Sequence, residues 1–147
     1  MKALRLCTLL IAALLLGACA SGPKLADVKS AIPTLKSTEG RVYFYRSSSM
    51  LGAAVQPEIR VNGEVVGQST PGGFFFVDMA PGPKEVSTTT EVEKKLTFVL
   101  DAGQTRYVKT YVYFGALVGR VQPQLVDNAT GAAELEETSY TGKPLGK

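Results

Sequence analysis

Few residues in this chain can do chemistry. There is no histidine, and the two cysteines are Cys7 and Cys19, so the commonest general base and metal ligand is missing. Two carboxylate pairs can be drawn, Glu58 with Glu64 across a hairpin and Asp78 with Asp101, and paired carboxylates hydrolyse glycosides. Neither spacing singles out a pair, and acids at strand ends are ordinarily solvated or cap turns. There is no G-x-S-x-G nucleophile elbow and no Asp-x-Asx-x-Asx-Gly calcium loop. A small carboxylate-dependent hydrolase is thus the weakest reading; the expectation is a non-catalytic protein with no catalytic residue, metal site or cofactor. Tyrosines offer binding instead. In "RYVKTYVYF" (106–114) a period of two puts Tyr107, Lys109, Tyr111 and Tyr113 on one side of a strand, and in "RVYFYR" (41–46) it sets Tyr43 and Tyr45 opposite Val42 and Phe44. If the Val/Phe sides point inward, the tyrosines form an outward platform for a glycan or another protein.

The elements that carry these groups begin with a leader. Lys2 and Arg5 precede a run from Leu6 to Leu16 that is apolar but for Thr8, and Gly17, Ala18 and Cys19 close it. The run is well short of the ~20 apolar residues that span a bilayer, which favours a signal peptide over a transmembrane helix. The formal net charge is +3, but without Lys2 and Arg5 there remain 14 Lys and Arg against 13 Asp and Glu. A chain so close to neutral lacks the clustered positive charge of a nucleic-acid footprint.

Leu16-Gly17-Ala18-Cys19 resembles the bacterial lipoprotein lipobox at every position. The resemblance implies a diacylglyceryl thioether on Cys19, cleavage between Ala18 and Cys19, and acylation of the new amine by a fatty acid such as palmitate. Stable anchoring takes two or more chains, and this group supplies them. Cys7 leaves with the leader, so the mature domain holds no free thiol and no internal disulfide. Ala20 and Ser21, with no Asp beside the cysteine, resemble the sorting signal for the outer membrane, facing the periplasm.

Residues 19–39 read as the lipidated cysteine and a spacer, with a helical turn around 26–31 between Pro23 and Pro33. From Gly40 the texture becomes short β-rich runs broken by turn residues every eight to twelve positions, the spacing of an all-β sandwich. Asn62-Gly63 predicts a type I′ hairpin in "EIRVNGEVVG". Pro123 predicts an edge strand, and "NATGAAELEETS" (128–139) a short helix. "GALVG" (115–119) is an apolar loop that either meets a partner or folds back on the core. The strand "VYFYR", the "VNGEVVG" hairpin, "GGFFFVDMAPGPKEVS" and "LTFVLDAGQTRYVKTYV" resemble small bacterial lipoproteins with one domain of unknown function, a PEGA-like β-sandwich. The expectation is an antiparallel, immunoglobulin- or PEGA-like sandwich of about seven to eight strands over 40–140, with a short C-terminal helix and a tail at 141–147. Its partners would be the membrane, through the lipid, and an envelope protein or peptidoglycan. Because the Cys19 thiol is the acylation nucleophile, Cys19→Ser should abolish metabolic labelling by an alkyne fatty acid and leave uncleaved precursor. Equal labelling of both forms would remove the assignment.

Overall fold

A computed structural model describes residues 20–116 and 119–145. Cys19, the leader, Leu117 and Val118 lie outside the described residues. Among the described residues nine strands form two sheets. They are β1 (Gly40–Tyr45), β2 (Glu58–Val61), β3 (Glu64–Gln68), β4 (Gly73–Met79), β5 (Gly82–Thr89), β6 (Glu93–Leu100), β7 (Thr105–Tyr113), β8 (Arg120–Val126) and β9 (Ser139–Tyr140). One sheet runs β8-β7-β1-β4-β9 and the other β3-β2-β5-β6. The expected sandwich and short helix are present, and the four-stranded sheet is antiparallel throughout. The five-stranded sheet is mixed, because β1 pairs in parallel with β7, and β4 with β9. β8 is an edge strand, as Pro123 predicts.

Alternation explains the core. Val42 and Phe44 of β1 and Val108 of β7 point between the sheets, where they meet Ile59, Val86 and Leu100 of the opposing layer, all fully or almost fully buried. Burying each such side chain contributes about 1.5–3 kcal/mol. Phe44 stacks on Phe75 at 5.1 Å. The neighbouring residues must then face outward, and Tyr43, Tyr45, Phe74 and Tyr107 make the other side of the five-stranded sheet equally apolar.

That second face has its own cover, made of two segments. Residues 20–39 are not a spacer. The N–H of Ala20 donates to the Pro71 carbonyl at 3.0 Å, and that of Tyr140 to the Pro23 carbonyl at 2.7 Å. Lys24 Nζ donates to the Glu137 carbonyl at 2.8 Å. A helical turn, α1 (Leu25–Val28), continues as a 3-10 turn over Lys29–Ala31. Leu25, Val28 and Ile32 recur at intervals of three and four, so they share one side and pack on the sheet. The other segment is α2 (Asn128–Glu136), whose N-cap Asp127 accepts from the Thr130 N–H at 3.0 Å. Among the described residues no helix is long and apolar enough to cross a membrane.

The sandwich has two distinct ends. At the upper end β1 and β7 finish, β4 begins, and the chain enters at Ala20; the β2–β3 hairpin turns at the lower end. Asn62 and Gly63 both take positive φ, 50° and 86°, the type I′ geometry the dipeptide predicts. No atom outside the neighbouring residues lies within 4 Å of a Cβ built on Gly63, so any cost of a side chain there is conformational. Gly63→Val should therefore destabilise by about 1–2 kcal/mol, with Gly63→Asn costing less. An unchanged denaturation midpoint for the valine variant would contradict the turn assignment.

Candidate functional site

The tyrosines do lie on the side of the five-stranded sheet away from the sandwich core, but they are not an open platform. Tyr43 and Tyr107, cross-strand neighbours on β1 and β7, stack at 5.4 Å with ring planes 12° apart. α2 lies across them. Gly131 comes so close to Tyr107 that a methyl group there would overlap the ring, which is why this helix carries a glycine in its middle despite the loss of propensity. One turn on, Glu134 takes two hydrogen bonds from the sheet, from Tyr45 Oη at 2.6 Å and from Lys109 Nζ at 2.8 Å. Lys109 lies 5.0 Å from the Tyr111 ring centroid and 5.7 Å from that of Tyr45. Tyr45 is 2% exposed and Lys109 8%, so the expectation that they are displayed is corrected: α2 and α1 cover them. Tyr43, Tyr107 and Tyr111 are half-buried, and Tyr113 alone among the six is exposed.

The electrostatics follow this packing. Burial, then the hydrogen bond to Glu134, raises the Tyr45 phenol far above its ordinary value. Burial alone would raise the Glu134 carboxyl, but the hydrogen bonds from Lys109 and Tyr45 outweigh it and hold that carboxyl below the usual Glu range. Backbone donation from Thr130 likewise lowers Asp127.

The carboxylate pairs are not assembled. Glu58 sits opposite Gln68 and Glu64 opposite Val61, at the two ends of the hairpin. Glu58 is ion-paired with Arg60, and Asp78 is gripped by Arg41 through Nε at 2.6 Å and Nη2 at 2.7 Å. Arg41 also donates to the Pro33 carbonyl at 2.8 Å and lies 4.5 Å over Phe76. Asp101 is exposed at the β6–β7 turn.

A wide cleft lies where no sequence motif pointed. β3 ends its sheet, and β9 covers β4 only at Gly73 and Phe74. Between these two uncovered edges is a cleft of about 460 Å³, lined by Glu64 and Val66 on one side, Phe76 and Asp78 on the other, with Tyr140 and Lys143 at its lip. The tail at that lip is pinned, since the Thr141 N–H donates to the Phe74 carbonyl at 2.8 Å and Tyr140 Oη to the Lys143 carbonyl at 2.8 Å. No sequence signal marked it: the cleft opens because a strand of only two residues cannot close an edge as long as β4.

The family described as a protein of unknown function (DUF2846) matches residues 36–121, more than half of the chain. The chain belongs to the DUF2846 family. It is also similar to an uncharacterized protein of Haemophilus influenzae, 26% identical over 130 residues, 85% of this chain and 77% of the other. The DUF2846 match runs from just before β1 into the start of β8. α1, α2 and β9 fall outside it, so the cover over the tyrosines is built from segments flanking the family's common region.

Glu134 is the polar clasp between that cover and the DUF2846 sheet. Its carboxyl is depressed in the folded state, so its contribution to stability is present above the ordinary Glu range and is lost as pH falls through and below that range. Glu134→Gln should cost about 1–3 kcal/mol, the value of hydrogen bonds to a charged group, toward the low end because the carboxylate is partly exposed. It should also flatten the acid limb of a stability-against-pH curve. Parallel curves for wild type and variant would show that the clasp contributes nothing.

Proposed function

We propose that this protein is a cell-envelope lipoprotein, held through Cys19 to the outer membrane and facing the periplasm, whose DUF2846 domain works by binding an extended polypeptide rather than by catalysis. The anchor rests on Leu16-Gly17-Ala18-Cys19 behind a charged and apolar leader, and the likeness to PEGA-like sandwiches of small lipoproteins fits the same reading.

The observation that carries the binding reading is the pair of uncovered strand edges flanking the cleft. A strand edge offers backbone donors and acceptors to a chain laid beside it, and pockets for alternate side chains give selectivity. Val66 and Phe76 supply apolar surface, while Glu64, Lys143 and the Arg41–Asp78 pair supply charge. A free extended peptide matches such a surface better than a sugar ring, which needs an open aromatic face to stack on; in the cleft Phe76 lies under the Arg41 guanidinium and Tyr140 packs against Phe74.

A photo-crosslinking amino acid at Val65, exposed on β3, should give an adduct in cells that protease digestion removes and muramidase does not. The same group at Val99, exposed on β6, should give none. An adduct sensitive only to muramidase would move the ligand to peptidoglycan, and equal yields at both positions would remove the cleft as the binding surface.

A further inference from the structure

Among the described residues, eight large apolar side chains are exposed, and five of them, Met50, Leu51, Val92, Tyr113 and Phe114, project from the upper end. Met50 is 86% exposed and Phe114 85%. Exposed apolar groups scattered singly need no explanation, but a cluster at one pole does. The loops that carry Met50, Leu51, Tyr113 and Phe114, and the turn between them, are also without charge: residues 47–57, 69–73 and 110–116 hold no Asp, Glu, Lys or Arg, whereas Val92 sits between Glu91 and Glu93. Several charged groups beside Val92 are engaged. Glu91 accepts from the N–H groups of Ala116 at 2.9 Å and Gly119 at 3.2 Å and pairs with Arg120, and Lys95 pairs with Glu85 and Glu93. The lower end differs, with Lys36, Glu39, Glu64 and Asp101 at its turns.

The tips are held in place from beneath. Arg46, 2% exposed, donates to the carbonyls of Gly52 at 2.8 Å, Val55 at 2.7 Å and Ser69 at 3.3 Å. Gly72 backs onto Ser48, and Gly52 onto Val112. The 47–57 loop, the Pro71-Gly72 turn and the end of β7 therefore form one contiguous surface.

What meets that surface is indicated by where the chain enters. Ala20 is fixed to Pro71 in the same cluster. One peptide unit, about 3.8 Å between Cα atoms, separates it from Cys19. A lipid on that sulfur has no slack with which to hold the domain away.

We infer that the upper end is a membrane-docking surface on which Met50, Leu51, Tyr113 and Phe114 enter the headgroup region of the phospholipid bilayer that holds the Cys19 lipid, so that the domain stands end-on against the membrane in one orientation. Phenyl and phenol groups favour that region, and insertion adds apolar contact to the acyl anchor. The inference rests on lipidation of Cys19. It fixes a direction: the upper end faces lipid, and the hairpin turn at Asn62-Gly63 faces away.

The test uses the full-length lipidated protein with Phe114→Cys or, as the control at the opposite end, Asp101→Cys. With Cys19 in thioether linkage, each variant has a single free thiol for an environment-sensitive nitrobenzoxadiazole dye. In vesicles of phosphatidylethanolamine and phosphatidylglycerol, dye at 114 should shift its emission to the blue and lose most of its quenching by iodide, while dye at 101 should do neither. Because the loops are uncharged, raising the salt should leave both signals unchanged. Dye at 114 that stays in water while the protein stays on the vesicles overturns the docking surface and leaves the anchor standing. Dye at 114 that is shielded before vesicles are added overturns it in favour of self-association. Failure of the lipid reading is separately visible by mass, as a second dye on Cys19.

Discussion

A β-sheet that is apolar on one face needs one partner layer; a sheet that is apolar on both needs two. The five-stranded sheet is of the second kind. Val42, Phe44 and Val108 look one way into the sandwich, and Tyr43, Tyr45, Phe74 and Tyr107 look the other. The second sheet satisfies the first set. Among the described residues the strap of residues 20–39 and α2, with Tyr140, satisfy the other, and they lie largely outside the region that defines the family. The flanks of this domain are thus part of its architecture, since removing them would bare a stack of aromatic rings to water.

Covering an apolar face with a short helix raises a problem of fit, because α2 buries little besides Gly131 and Leu135. Its hold on the sheet comes from three features at successive turns: the Asp127 cap, the glycine seated on Tyr107 and the Glu134 clasp to Tyr45 and Lys109. The clasp has a second effect. A lysine amine under a helix would be costly without a charge partner, and with one it fixes where along β7 the helix must lie.

Much of this was legible in the residues. Strand alternation separates Val42 and Phe44 from Tyr43 and Tyr45, Asn62-Gly63 marks the hairpin, and Ala/Glu-rich composition marks α2. What stayed hidden was non-local. That β1 pairs in parallel with β7 depends on where the intervening chain goes, and no local pattern states it. The outward side of the tyrosines was readable, but their cover was not, because Leu25, Val28 and Ile32 lie between prolines in a stretch whose composition suggests a spacer. Their three- and four-residue spacing was the available signal. The cleft left no trace at all, since it arises from the shortness of β9 rather than from any residue type.

The parallel pairing of β1 with β7 has a consequence in time. β1 is complete at Tyr45, yet its partner begins at Thr105, so a chain emerging from its N-terminus presents the central strand of the larger sheet long before the neighbour exists. Adjacent hairpins such as β2–β3 and β5–β6 close over short loops, whereas β1 must wait for a long one, with the entropic cost and slow closure that sequence separation brings. Until then one edge of β1 is bare and both its faces are greasy, the condition in which a nascent chain most readily pairs with the wrong partner. For a chain with this topology the vulnerable interval ends only when α2, near the C-terminus, reaches the sheet.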